Sequence, residues 1–453
     1  MSHSKQTGKI KIGFIESYGD FSIYGVSNKH AAQLAVKEIN DGFTLTGGQL
    51  NAPGKASFTR SASTPPSIHA RGDNLKFSDK GNDFSLEKVL FAGEDKILVQ
   101  SNDDGILGRQ VNLIAPDCQS QESTLEKLTA ELIQKQQVDM IVGGFASTAR
   151  ERIRPIIDYH KQLYFYTNQY EGGVADKRTF CTGAVCEQQV LPLLQYMVET
   201  YGPRIYTIAA DYKFGRLTAA WTKSWAPMFG GEVIGEKFPV LGSSKFDDVI
   251  TSVKKAGPDW IMTLIVGEAQ QNYYPQASAA NLKLPMASTI NMASGYEHIR
   301  FNPPALNKMH NAVNYMMEIP TTRNIAFVKR WFNLFPDDVY IGQMAQNTYV
   351  SIHLYAKAVR LAGSTNQRDV IKILESGLHI EAPEGSIFLD PATHHVTHYI
   401  RLAMADKCHN IKFIQEWPNI TPWWLQRLGV NLVRNPEYKQ YTLEDDSLMS
   451  RID

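Results

Sequence analysis

Four stretches of this chain end apolar runs on groups that can hold a small polar molecule. "VGGFASTAR" leads through two glycines to Phe145, Ser147 and Thr148 and then into a helix. "YFYTNQYEGG" carries aromatics to its end and switches to amides, delivering Tyr166, Asn168, Gln169 and Tyr170. "AADYKFGR" delivers Asp211, Tyr212 and Phe214, and "TLIVGEAQ" delivers Glu268. The first turn of a helix leaves backbone N–H groups without intrahelical partners, so with the Ser147 hydroxyl it forms a donor cluster suited to a carbonyl oxygen. Asn168, Gln169 and Glu268 supply acceptors for N–H groups, and the tyrosines supply flat walls. Such a set suits a ligand with one acceptor and several N–H donors, as urea or a small amide has. Each group also has a plainer reading: Ser147 as an N-cap, the amides as a sheet edge satisfied by loops, Glu268 as a solvated helix-start charge.

Catalytic signatures are missing from the sequence. There is no GxSxG, HExxH or GxxxxGK[ST], and no Cys/His spacing typical of zinc. In "THHVTH" a strand places His394 and His398 on one face and His395 on the other, an awkward set for one metal ion. No cofactor and no metal are expected, and a binding module is favoured over an enzyme. Cys181 and Cys186 read either as a pair or as two free thiols, since four cysteines without a CxxC are too few for a disulfide scaffold. Basic and acidic residues balance at 46 each, which points away from nucleic acid and from an anionic membrane as partners. No apolar run approaches the ~18 residues of a membrane helix. The polar start "MSHSKQTGK" reads as cytoplasmic for the chain as given, and as periplasmic if a signal segment was removed.

The elements that must position these groups follow from periodicity. Strands are predicted at 10–16, 109–117, 138–144 and 164–168, with helices at 28–40, after Ser123 and at 147–161 between them. Ser123 and Glu126 read as a capping box. The pattern repeats with strands at 205–211, 231–240, 259–267, 285–291 and 312–319. Helices lie between them at 215–229 and after Phe246, the latter capped by Ser244 and Asp247. Helices at 324–335, 342–363 and 369–376 and a hairpin-like segment 385–405 follow. Two runs of βαβ repetition predict an α/β fold of two Rossmann-like parallel-sheet lobes. Residues 42–103 break the rhythm. They are rich in Gly, Ser, Asn and Asp, with only "EKVLFAG" and "KILVQ" reading as strands, and they are expected to protrude from the first lobe as a loop with at most a small hairpin. "ARGD" within them is a chance match to an adhesion motif. Trp417, Trp423 and Trp424 read as a lobe cap rather than a ligand site.

In this order, "IKIGFIES", "AAQLAVKEIND", "DGILGRQVNL", "VGGFASTARERIRPII", "YFYTNQYEGG", "FCTGAVCEQQVLP" and "AADYKFGR" resemble the type I periplasmic binding proteins. The likeness runs from about residue 9 to about 415, apart from 42–103. Within that family it is nearest the branch that binds urea and short-chain amides, alongside the Leu/Ile/Val-binding proteins. The resemblance implies two lobes joined by a three-strand hinge: 9–184 with 320–378, and 185–319 with 379–415, leaving 416–453 as a tail. It also implies a small-molecule ligand in the cleft, and an ABC permease or a regulatory protein as partner; a homodimer is left open. An amino-acid receptor of the Leu/Ile/Val type is the alternative, with an amide-processing enzyme behind it. Phe145 stands where the family has Tyr or Trp, Cys186-Glu187 where it has Pro-Asn, Gly215 where it has Pro, and Glu268 where urea binders tend to have Asp. "INMASGYE" (290–297) lacks the branch's acidic pair. These departures imply a different recess and a ligand of different size.

Overall fold

A computed structural model of the chain describes residues 8–16, 22–49, 97–101, 103–116 and 122–439, and between them the short strands 67–69, 76–79 and 82–84. "ARGD", "EKVLFAG" and the Ser123 side chain lie outside the described residues.

The first half runs β1 (Ile10–Ile15), α1 (Ser22–Asn40), β2 (Phe43–Leu45), β3 (Gly47–Gln49), β4 (Ser67–His69), β5 (Lys76–Asp79), β6 (Asn82–Phe84), β7 (Leu98–Gln100), β8 (Val111–Ile114), α2 (Glu122–Gln134), β9 (Met140–Gly143), α3 (Ser147–His160), β10 (Tyr164–Tyr166) and β11 (Thr179–Cys181). Five of these strands form a sheet in the order β11-β10-β9-β1-β8, with every pairing parallel. Residues of β9, β10 and β11 are buried on both faces, which is why those runs read as continuously apolar rather than alternating.

The second half runs α4 (Cys186–Tyr201), β12 (Arg204–Ala209), α5 (Lys213–Trp225), β13 (Glu232–Lys237), α6 (Asp247–Ala256), β14 (Trp260–Leu264), α7 (Glu268–Ala279), β15 (Met286–Ser288), α8 (Glu297–Arg300) and β16 (Met309–Val313). Its strands pair in parallel in the order β13-β12-β14-β15-β16. The chain then returns to the first sheet with α9 (Thr322–Leu334), α10 (Gln343–Ala362), which packs against α1, and α11 (Gln367–Leu374). It crosses again through β17 (Leu378–Ala382) and β18 (Gly385–Leu389) to β19 (Val396–Ala405) and β20 (Ile411–Ile420), followed by α12 (Trp424–Arg427). β19 and β20 extend the second sheet in antiparallel fashion. The fold is thus α/β with two parallel-sheet lobes, as the periodicity predicts.

Several details differ from the sequence expectation. α2 begins at Glu122, before Ser123, and Glu126 pairs with Arg152 of α3 at 2.9 Å, which ties the two helices together. α6 begins at Asp247 after Phe246, with no side-chain cap. The Ser244 carbonyl accepts from Gln276 of α7, which anchors the loop there. The segment 42–103 does more than protrude. Leu45 and Ile97 are buried in the main core, β2 pairs with β7 and β3 with β17. β4 pairs with β20 and begins a β4-β5-β6 extension of the second sheet. An edge strand leaves a row of N–H and C=O groups unpaired, and β20 offers such an edge. The 415 boundary falls inside β20, which continues to Ile420.

Trp417 and Trp424 are buried in the second lobe's core beside Trp221 and Trp225, with Trp423 packed against that cluster. Among the described residues no helix is long and apolar enough to cross a membrane.

Candidate functional site

The turn from β9 into α3 is where the first wall forms. Gly143 and Gly144 both adopt the left-handed region, at φ 116° and 83°. A side chain at Gly143 would collide with the Ile15 backbone, so β1 and β9 approach as closely as only glycine allows. The turn presents Phe145, whose ring stacks on Tyr24 of α1 with centroids 4.8 Å apart and planes 9° from parallel. The Phe145 carbonyl accepts from the Tyr166 hydroxyl and from Asn168 Nδ2, both at 2.9 Å. The end of β10 is thereby locked onto the start of α3.

Ser147 is the first residue of α3, and Ala146 holds the cap position without a side-chain bond. The Ser147 hydroxyl does not stand free as a donor. It donates to Glu171 Oε2 at 2.7 Å, while Arg150 Nη2 donates to Glu171 Oε1 at 2.7 Å. Ser147, Arg150 and Glu171 are each no more than 3 % exposed, so the trio is a buried ion pair with a hydroxyl strap, in which Arg150 Nη1 alone keeps no hydrogen bond. The Arg150 guanidinium also lies over the rings of Tyr166 and Tyr170, 5.0 and 4.6 Å from their centroids. Burial acts against its charge, but Glu171, Tyr166 and Glu151 outweigh that and raise its pKa. Thr148 is exposed and outside this cluster. Consecutive helical residues point about 100° apart, so Ser147 and Thr148 do not share a face.

Asn168 and Gln169 are buried, and each keeps one polar atom without a hydrogen bond: Asn168 Oδ1, an acceptor, and Gln169 Nε2, a donor. Tyr170 turns the other way. Its hydroxyl donates to His395 Nε2 at 2.6 Å, and His395 Nδ1 donates to the Thr393 carbonyl at 2.8 Å. Burial holds that imidazole neutral, with its pKa lowered to about 4. The Tyr170 hydroxyl therefore ties the end of β10 to the segment before β19, while its ring lies under Arg150. His394 bonds to Glu375 and the Asp176 carbonyl, and His398 to Glu384. The three histidines go to three separate partners. Cys181 and Cys186 are both buried and unpaired with each other.

The second sheet supplies the facing wall. Tyr212 sits at the cap of α5, half-buried. Its pKa is raised by burial and then by Glu171 of the first lobe. Trp221 of α5 donates from Nε1 to the Glu171 carbonyl at 2.9 Å. Asp211 instead pairs with Arg216 at 2.6 Å, and Phe214 packs in a small core with Val266 and Ile290.

Glu268 is exposed on the first turn of α7. The buried stripe of that helix is Ala269, Gln270, Tyr273, Tyr274 and Ala277, and Glu268 falls outside it. A different carboxylate occupies the interior. Glu297 is 0 % exposed; its Oε2 accepts from the Met292 N–H, and its Oε1 makes no hydrogen bond, lying 3.7 Å from Arg300 Nη2. Burial raises its pKa against the pull of Arg300. Tyr24 reaches it from the first lobe: a side chain at Gly295 would meet both the Tyr24 ring and the Glu297 carboxylate, and burial, then Glu297, raises the Tyr24 pKa. Tyr24 thus spans the gap between the sheets. Sequence reasoning missed Tyr24, Arg150, Glu171 and Glu297. Glu171 and Glu297 do lie in the quoted "QYEGG" and "INMASGYE", each just beyond a run that ends a strand.

Residues 74–422 match the family described as "Periplasmic binding protein domain", which is most of the chain. The chain belongs to the periplasmic binding protein family. One relative in the family is a "Leu/Ile/Val-binding protein homolog 6" of Brucella suis biovar 1 (strain 1330), 19% identical over 297 residues, covering 63% of this chain and 74% of that protein. Solved periplasmic-type structures share the fold. A solute binding protein of an ABC transporter from Rhodopseudomonas palustris BisB5, in complex with 3,4-dihydroxy benzoic acid, superposes with a TM-score of 0.69 at 17% identity, covering 91% of this chain and 98% of its own. A branched-chain amino acid transporter substrate binding protein from Streptococcus pneumoniae, in complex with isoleucine, gives a TM-score of 0.66 at 16% identity, covering 90% and 99%.

Proposed function

We propose that the chain is a solute-binding receptor of the ABC-transporter type that closes, without turnover, on a small neutral amide such as urea or a short-chain amide. The observation that carries this reading is the pair of buried, unbonded groups Asn168 Oδ1 and Gln169 Nε2. An orphaned buried polar atom is costly, and such atoms in a cleft mark where a ligand completes the bonding. One acceptor and one donor match the N–H and C=O of an amide. Phe145, whose carbonyl accepts from Asn168, and Tyr24 stacked on it supply a flat wall beside them, and Tyr212 is the candidate for the facing one. A permease is the partner that this role requires, and the working compartment is then the periplasm. An amide sensor with a regulatory partner would use the same cleft.

An amino-acid receptor is the second reading, favoured by the isoleucine held in one solved relative and by the name of the Brucella relative. Thermal melts with urea, acetamide, butyramide and leucine separate the two. Binding only to the folded state at 100-fold excess over Kd stabilises it by about 2.7 kcal/mol. An upward shift with the amides and none with leucine is expected. A shift with leucine alone establishes the amino-acid receptor, and no shift with any of them defeats both readings. Ammonia release from any amide would make the chain an enzyme instead.

A further inference from the structure

The solved relatives named above hold molecules that bear a carboxylate, whereas the cleft of this chain already contains one of its own. The geometry points to Glu171 as a specificity-determining residue: its carboxylate fills the position where the start of α3 would take an anion, so the cleft admits neutral ligands and turns carboxylates away. This inference rests on the cleft being the binding site, as proposed above.

The donors around Glu171 are those that hold a carboxylate. A serine hydroxyl and one arm of a guanidinium reach its two oxygens, one each, at 2.7 Å, beside the first turn of a 14-residue helix whose N-terminus carries partial positive charge. Glu171 is also fixed from the other lobe, since Trp221 Nε1 donates to its backbone carbonyl. It is held as a bound anion would be held, and it cannot leave.

The neighbouring charges leave nothing for a second anion. Arg150 is shared between Glu171 and Glu151, and Arg154 between Glu151 and Asp176. Lys213, on the facing helix, acts on Glu151. Across the cleft, Arg300 is set against Glu297. Each of these cations already faces a carboxylate, so an incoming one brings an uncompensated charge into a buried site. A neutral carbonyl has no such penalty, and a donor remains for it: Arg150 Nη1 is buried without a hydrogen-bond partner.

Matched pairs of ligands test this: acetamide against acetate, and benzamide against benzoate, titrated at pH 7 and fixed ionic strength by calorimetry and by thermal melts. In the parent chain the amide of a pair is expected to bind at least about tenfold tighter than its carboxylate, a difference of 1.4 kcal/mol or more. Glu171→Gln keeps an oxygen for Ser147 and removes the charge, and should narrow that ratio at least about tenfold, chiefly by tightening the carboxylate. A parent that prefers the carboxylate, or a ratio that Glu171→Gln leaves unchanged, overturns the inference while leaving the receptor intact. If Glu171→Gln fails to fold, the parent's own amide-to-carboxylate ratio decides. The absence of binding by both members of both pairs, with urea, butyramide and leucine also silent, instead defeats the receptor reading and the inference with it.

Discussion

Glu268 and Glu297 show how a single position on a helix decides whether a carboxylate reads the cleft. Both stand at helix starts on the second lobe, where a negative charge is favoured by the exposed N–H groups. Glu268 lies off the buried stripe of α7 and is exposed, so its charge is solvated. Glu297 is fully buried, lies with the Tyr24 ring against Gly295, and leaves Oε1 without a hydrogen bond. A ligand N–H that bonds to a buried carboxylate gains roughly 1.5–3 kcal/mol. Glu297→Gln should therefore weaken the Kd for the best amide about tenfold to a hundredfold, while Glu268→Ala leaves it unchanged. Calorimetric titration of the two folded variants makes the comparison. Loss of affinity in Glu268→Ala, with Glu297→Gln unaffected, would return the acceptor role to the exposed residue.

At the scale of elements, the join between α4 and the C-terminal segment carries a pH-sensitive contact. Glu187, in the first turn of α4, is 5 % exposed and accepts from the Trp424 N–H at 3.3 Å. Burial pushes its pKa up from 4.5 to about 7, against hydrogen bonds from its own N–H and that of Trp424. The folded chain therefore keeps a proton on Glu187 across a range where the unfolded chain has released it. Stability is unpenalised below about pH 4.5, falls as pH rises towards 7, and stays reduced above that. Each pH unit is worth about 1.4 kcal/mol, so the full penalty is about 3 kcal/mol. Glu187→Gln keeps an acceptor for Trp424 and cannot ionise. Its gain over the parent should be near zero at pH 4.5 and about 3 kcal/mol at pH 8. Unfolding in guanidinium, chosen because urea is a candidate ligand, measures both. An equal difference at the two pH values would mean that Glu187 is ionised in the folded chain.

The whole molecule was legible where its order is local and periodic. Runs such as "DMIVGG" and "IYTIAAD" predict strands because buried parallel strands are apolar on both faces, and the alternation with helices predicts two lobes. What sequence could not show depends on contacts between distant segments. The pairing of Ser147 with Glu171, the edge of β20 that receives β4, and the reach of Tyr24 to Gly295 each join elements that no local pattern connects. Tyr24 is also the contact that makes closure measurable. It packs in the first lobe against Phe145, and its ring edge lies close against Gly295 on the second, where an added side chain would meet it. Several heavy-atom pairs at about 0.1–0.2 kcal/mol each contribute on the order of 1 kcal/mol to the closed arrangement. Removing them in Tyr24→Ala should lower the closed fraction by roughly two- to tenfold, and the apparent Kd rises as the competent fraction falls. Small-angle scattering should show the parent becoming more compact on adding the best amide, as hinged lobes do when a ligand bridges them. Tyr24→Ala should start wider and need more ligand to reach the same final radius. A variant with the parent's radius and Kd would show that the contact of Tyr24 with Gly295 does not hold the lobes together, and that closure depends on the ligand's own contacts with both walls.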